Sequence, residues 1–326
     1  MGMTDGRRGS LLVITLWVMT ILTVFAVAIA RYLSVEIRVT KYRVAREQAR
    51  ALAHGGVLIA MQRLSTDAAQ EPYDWLEDDW ALTASEPWRI MARAGASAAD
   101  DDVPWVDIAI IDEERKLALN ASGVTAAMLD QVAGGAPVGQ AIIDYLDAAD
   151  TAEDQPALPY YPKNAAVQAV EELREIPALQ DLARTDPASF IAFLNQLSPY
   201  TPGPANVNTA STEVLVALKA GTVPSGIVQS FVELRGLGAA NEPGGGDDCL
   251  LTDQPSSLAD LAVCLGTDAP TVQNLVETLG SQSSVLTVTA EGVVPQPPVR
   301  YRVEAVVRRT GCGAGVTGPC IVAWRE

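Results

Sequence analysis

A single histidine, His54, occurs in 326 residues, so neither a Ser-His-Asp triad nor a histidine-rich zinc centre has material to draw on. The four cysteines include no CxxC pair, which argues against a thiolate zinc site. Charged residues amount to 19%, and 23 Lys and Arg face 40 Asp and Glu, for a formal net charge of −17. A nucleic-acid binder needs cations to neutralise phosphates, and this chain is poor in them. The glycines of the loop at Gly311, Gly313 and Gly315 are followed by no Lys-Ser/Thr, which removes a phosphate-cradling loop. No nucleophile–base constellation is visible, so the chain is not expected to be an enzyme.

Apolar residues, by contrast, make up 48%, and the length suits about two domains at ~100–200 residues each. Charge is unevenly spread. Residues 1–69 carry nine Arg and Lys against four acids, whereas residues 71–154 carry four against nineteen. A basic beginning and a strongly acidic body suggest a membrane end and a solvated, cation-attracting end. Leu11 to Ala30 contain no charge, and a helix of twenty residues is ~30 Å long, about the hydrocarbon thickness of a bilayer. Arg7 and Arg8 precede it, which places the first residues in the cytoplasm and the rest outside. A secretory signal peptide cut after AVAIA is the alternative. Beyond the apolar run, no Pro occurs up to Leu64, and Leu33, Ile37, Val44, Leu52, Ile59 and Leu64 recur at roughly helical spacing. One helix is expected to continue outward from the membrane, with Gly55-Gly56 as its weak point at ~1 kcal/mol per glycine.

A short basic leader ending in Gly, followed by a long helix with an apolar first half, resembles type IV pilin-like proteins. Here the pattern is GRRG at 6–9, then SLLVITLWVMT. The resemblance implies that a prepilin peptidase cuts after Gly9 and methylates the new N-terminus at Ser10. Most such subunits have Glu at the fifth position after the cut; this chain has Ile14. An intramembrane carboxylate is costly unless it meets a partner, in this family the N-terminal amine of a neighbouring subunit. Its absence is similar to the K-type minor pseudopilin of type II secretion (general secretion pathway protein K family), which caps the pseudopilus tip. The phrases DEERKLALN at 112–120, DYLDAADTAED at 144–154, PYYPKN at 159–164 and ANVNTASTEVLVAL at 205–218 match that family in order.

The resemblance implies an α+β fold: a pilin-like long N-terminal helix packed on a small antiparallel sheet, with a large all-α inserted domain. The expected divisions are a leader at 1–9, the helix at 10–68 with its membrane span at 11–30, a pseudopilin α/β domain from 69–116 and 285–326, and an insertion at 117–284. Strands are expected at Val103–Ile111, Val285–Ala290, Val299–Val307 and Ile321–Trp324 from their β-branched or alternating patterns. The insertion holds two similar helix-hairpin-like segments, and Ser211 with Glu213 marks a capped helix start. Trp75, Trp80, Trp88 and Trp105 are expected to be half-buried packing residues.

The densest acidic run is Asp144, Asp147, Asp150, Glu153 and Asp154, the first four spaced by three along one helical face. Such a row repels itself unless solvated or bound to a hard cation, and Ca2+ takes carboxylate oxygens. The resemblance implies a structural Ca2+ held in the helical domain by Asp147, Asp150, Glu153 and Asp154. Asp100, Asp101 and Asp102 are expected to form a solvated loop. In an oxidising compartment the cysteines allow three pairings, of which the sequence neighbours Cys249–Cys264 and Cys312–Cys320 are favoured. His54 is expected to pack rather than catalyse. The resemblance further implies I-type and J-type minor pseudopilins as partners, an inner-membrane anchor, a periplasmic C-terminal domain and no nucleic acid. The rival reading is a membrane-anchored helix-hairpin-helix protein of DNA uptake, since NVNTASTEVLVAL resembles that module. Against it, the hairpin GTVPSGI lacks Gly-x-Gly, and residues 201–284 hold only Lys219 and Arg235 as cations.

Overall fold

The computed structural model describes residues 6–81, 86–97, 100, 102–146, 163–201, 203–235, 249–252, 256–310, 312 and 318–326, with side chains from residue 12 onward in the first helix. Helix α1 runs unbroken over Gly6–Gln70, 65 residues, which makes it roughly 100 Å long. Gly55 and Gly56 lie within it without a break, because no Pro removes a backbone donor there and the turns on either side propagate the helix.

Five strands form an antiparallel sheet: β1 (Trp88–Met91), β2 (Trp105–Asp112), β5 (Val285–Val294), β6 (Val299–Arg308) and β7 (Cys320–Arg325), in the order β1-β2-β5-β6-β7. Sequence alternation marks β6 and β7 accurately, starts β5 at the right residue but ends it four residues early, and misses β1. In chain order, a two-stranded parallel ladder of β3 (Leu117–Ala118) and β4 (Leu197–Ser198) and eight described helices lie between β2 and β5.

The chain divides into two compact units: Met1–Ala53 with Ile90–Val106 and Glu291–Arg302, and His54–Arg89 with Asp107–Ala290 and Val303–Glu326. In the first unit α1 buries Ala45 and Ala49 against Val294, Val299 and Tyr301. The buried stripe of α1 continues as Ala53, Val57, Ala60 and Leu64. Of the apolar residues that recur at helical spacing, Leu64 is buried, whereas Leu33, Ile37, Val44 and Ile59 are exposed; Ala45, Ala49, Ala53 and Val57, spaced by four, face inward. Alanine lets the helix backbone come close. At Gly292 on β5 a Cβ would stand 1.9 Å from Ala49 O.

In the second unit the inserted helices share one core, with Leu129, Ile142, Leu173, Ile176, Phe193 and Phe231 fully buried. These helices are α2 (Ala126–Val132), α3 (Gly139–Leu146), α4 (Pro177–Thr185), α5 (Pro187–Asn195), α6 (Thr212–Leu218), α7 (Ser225–Leu234), α8 (Ser257–Cys264) and α9 (Ala269–Val276). Each is too short to be stable alone, so starts are fixed by side chains. Thr125, Asp186, Ser211 and Asp268 accept from Met128 N, Ser189 N, Val214 N and Thr271 N, and prolines open α4 and α5. Disulfides join Cys249 to Cys264 and Cys312 to Cys320, with Cα atoms 6.1 and 5.9 Å apart, the pairing expected from sequence proximity.

Candidate functional site

The amino-terminal part of α1 is the first candidate. From Leu12 to Val44 its large apolar side chains, Ile14 among them, are exposed. The segment is long and apolar enough to cross a membrane. Its few hydroxyls return to the helix: Thr15 donates to Leu12 O, Thr20 to Leu16 O, Thr23 to Met19 O and Ser34 to Ala30 O, at 2.7–2.9 Å. These four hydroxyls are thus satisfied by carbonyls of the helix itself, as a bilayer requires of a polar group. Gly9 and Ser10 lie on this helix, at its first turns.

The proposed calcium ligands Asp147, Asp150, Glu153 and Asp154 lie outside the described residues. Asp144, at the end of α3, accepts from Gln140 Nε2 at 2.7 Å. Asp100 accepts from Ser97 N. His54 packs as expected: its ring stands edge-on to Trp324 with centroids 4.9 Å apart, and Nε2 lies 3.2 Å from Glu326 Oε1. Trp75, Trp88 and Trp105 are half-buried, while Trp80 is fully buried.

The helix-hairpin-like segment that carried the DNA reading is tied inward. Asn208 bonds both Leu251 N and Leu251 O. Arg235 donates to Val207 O and Ala210 O, and Lys219 to Glu277 O. Both cations of residues 201–284 therefore hold the insertion's own carbonyls.

Sequence reasoning missed a second site, a buried carboxylate junction in the second unit. Asp112, at the end of β2, is 3% exposed and accepts from Ser283 Oγ at 2.6 Å, Glu114 N at 2.8 Å and Thr209 Oγ1. Glu113 accepts from Lys116 Nζ at 2.6 Å and Thr287 Oγ1 at 2.7 Å. Glu114 accepts from Ser284 N at 3.1 Å and from Ser284 Oγ. Asp74 is fully buried and accepts from Ser283 N at 2.5 Å and Arg309 Nη1 at 2.7 Å. The other arm of Arg309 reaches Asp67 Oδ2 at 3.1 Å, and its plane lies 5.4 Å from the Trp80 ring. Asp78 accepts from Trp75 N at 2.9 Å. Asn206 donates to Ser283 Oγ at 2.8 Å, joining the insertion to the same network.

This arrangement ties the end of α1, the chain after it, the end of β2, the entry to β5 and the exit of β6 at one polar centre. The acidic stretch 71–154 was expected to be solvated or cation-binding; five of its carboxylates are instead buried against hydroxyls, amides and two cations. Asp67, Asp74 and Asp78 each place an oxygen within 4.8 Å of the others, with the Arg309 guanidinium bonded to two of them. The available signal was the phrase DEERKLALN, whose acids directly follow a β-branched strand.

Burial pushes the Asp78 and Glu114 carboxyls up to about 7, and those of Asp67 and Asp112 up to about 6. The hydrogen bonds to Asp78, Glu114 and Asp112 oppose this, as does Arg309 at Asp67, without cancelling it. All four stand above the ordinary carboxyl range near ~4, so the folded chain binds more protons than the unfolded one between roughly pH 4 and 7. That stabilisation is full at the lower end and is lost as pH rises through the folded values. Asp186 and Asp268, held low by their cap hydrogen bonds, act in the opposite sense only at more acid pH. The melting temperature should therefore be higher at pH 5 than at pH 8, by roughly 5 °C or more given ~2–4 °C per kcal/mol. Differential scanning fluorimetry in detergent checks this, and a higher melting temperature at pH 8 contradicts it.

No protein-family model matches this sequence, and no curated protein matches it. Among solved structures, a chain of the GspK-GspI-GspJ complex of the type II secretion system of enterotoxigenic Escherichia coli matches with a TM-score of 0.57 at 15% identity. The match covers 88% of this chain and 98% of the other. A continuous amino-terminal helix on a five-stranded antiparallel sheet, with further helices between its strands, is thus the pilin-like α+β fold, similar to that of the chain matched in the GspK-GspI-GspJ complex.

Proposed function

We propose that this chain is a K-type minor pseudopilin at the tip of the type II secretion pseudopilus, with a structural rather than catalytic role in protein export across the outer membrane. The observation that carries this reading is α1. From Leu12 to Ala30 it exposes apolar side chains with no charge among them, while further along Ala45 and Ala49 pack on the sheet. A soluble chain does not leave about twenty consecutive helical residues of uncharged apolar surface uncovered, so lipid and partner helices are its natural surroundings. The GspK-GspI-GspJ similarity supports I-type and J-type subunits as those partners.

In this reading prepilin peptidase cuts after Gly9, Ser10 becomes the methylated N-terminus, and α1 anchors the chain in the inner membrane with its body in the periplasm. Ile14 fits a tip position, because a subunit with no neighbour ahead of it has no amine for a buried carboxylate to pair with. Asp147, Asp150, Glu153 and Asp154 offer a donor set of carboxylate oxygens alone, the chemistry of a hard cation such as Ca2+, which would neutralise the acidic insertion. Co-expression of the full chain with its I- and J-type subunits tests the assignment. A co-purifying complex in detergent is expected. Elution of the chain alone, or its retention on DNA at low salt, contradicts it.

A further inference from the structure

Beyond the apolar run of α1, the twenty residues Arg31 to Arg50 carry six Arg and Lys against two Glu, in a chain of net charge −17. All six cations are exposed. Interleaved with them, Leu33, Val35, Ile37, Val39, Tyr42 and Val44 are exposed as well. Part of this surface is an open groove of about 620 Å³ lined by Val35, Val39 and Tyr42 together with Arg38, Arg43 and Arg46. Val299 of β6 also lines it. The same valine covers Ala45 and Ala49 one turn further on. The groove is therefore the open continuation of the interface between helix and sheet, and an apolar segment lying in it extends an existing core.

Its distance from the bilayer selects the occupant. A span ending at Ala30 puts Arg38 ~12 Å and Arg46 ~24 Å further along the axis at 1.5 Å per residue. Interactions with charged headgroups fade over a Debye length of ~8 Å at physiological salt. Lipid covers the first turns of this surface and not the rest. We infer that the groove receives an acidic amphipathic helix of another tip subunit, its apolar stripe on Val35, Val39 and Tyr42 and its carboxylates on Arg38, Arg43 and Arg46. The inference rests on the pseudopilin reading and adds partner chemistry to it. The apolar lining supplies association, and the arginines select the sign of the partner.

The test uses the full chain in detergent micelles and two synthetic 20-residue amphipathic helices of identical apolar spacing, one flanked by Glu and one by Lys. The Glu helix should bind, and Arg38→Gln/Arg43→Gln/Arg46→Gln should weaken it at least tenfold. Arg38→Glu/Arg43→Glu/Arg46→Glu should reverse the preference toward the Lys helix, a gain that an unfolded variant does not produce. Equal binding of both helices, or undiminished binding to the Gln variant, overturns the inference. So does reconstitution showing that the three arginines mediate contact with phosphatidylglycerol vesicles and that the Glu helix does not compete. Failure is distinguishable from failure of the functional reading: if I- and J-type subunits co-purify equally with parent and Gln variant, the inference falls and the pseudopilin assignment stands.

Discussion

Replacing Arg309 by Met should destabilise the chain by about 3–5 kcal/mol, because removing one partner of a buried ion pair strands the other charge. Arg309 is 4% exposed and Asp74 fully buried. One guanidinium arm serves Asp74 and the other Asp67, so the loss leaves two carboxylates without their cation. A fall in melting temperature of roughly 10 °C follows at ~2–4 °C per kcal/mol. The loss should be greater at pH 8 than at pH 5, since at the lower pH Asp67 takes up a proton instead. Arg309→Lys should rescue incompletely, as a single ammonium does not reproduce the two-armed fork. Arg309→Met combined with Asp74→Asn should recover part of the loss, and that recovery measures the coupling. An unchanged melting temperature in Arg309→Met would mean that the junction does not hold the fold together.

Replacing Gly292 by Val should be nearly as damaging, by a different route. The added Cβ would stand 1.9 Å from Ala49 O, 2.9 Å from Ala49 C and 3.0 Å from Ala53 N. These are backbone atoms of α1, so no rotamer change relieves the clash and the helix must move off the sheet. Overpacking costs about 1–3 kcal/mol when side chains can adjust, and this site belongs at or above the upper end. The control is Gly226→Ala in α7, where an added Cβ meets nothing within 4 Å. That change should be neutral or stabilising by up to ~1 kcal/mol. Equal stability of Gly292→Val and parent in thermal unfolding would contradict the close approach of helix and strand.

What the sequence discloses and what it hides follow from how far apart the interacting residues lie. Helix α1 is legible because its signals are local: an uncharged apolar run, no Pro, and apolar residues recurring at helical spacing beyond it. The alternation of Val299, Tyr301, Val303, Ala305 and Val307 marks β6 for the same reason. The Ser211 cap lies next to the helix it starts. The inward face of α1 was not legible because large apolar residues outweigh alanines in any hydropathy pattern. In the structure the large ones up to Val44 are exposed, while Ala45 and Ala49 pack against Val294, Val299 and Tyr301 of the sheet. The carboxylate junction was hidden because its bonds join residues distant in sequence: Thr209 with Asp112 across 97 positions, Ser283 with Asp112 across 171, Arg309 with Asp74 across 235. No window along the chain contains both partners, and an acidic run without its partners has the pattern of a solvated surface.

Mass analysis of the mature amino terminus, on protein extracted from membranes, tests the central claim that α1 remains as anchor and assembly rod. The account predicts a chain beginning at N-methylated Ser10. A chain beginning at Arg31, with the apolar segment removed, would contradict it and leave an exported soluble protein in its place.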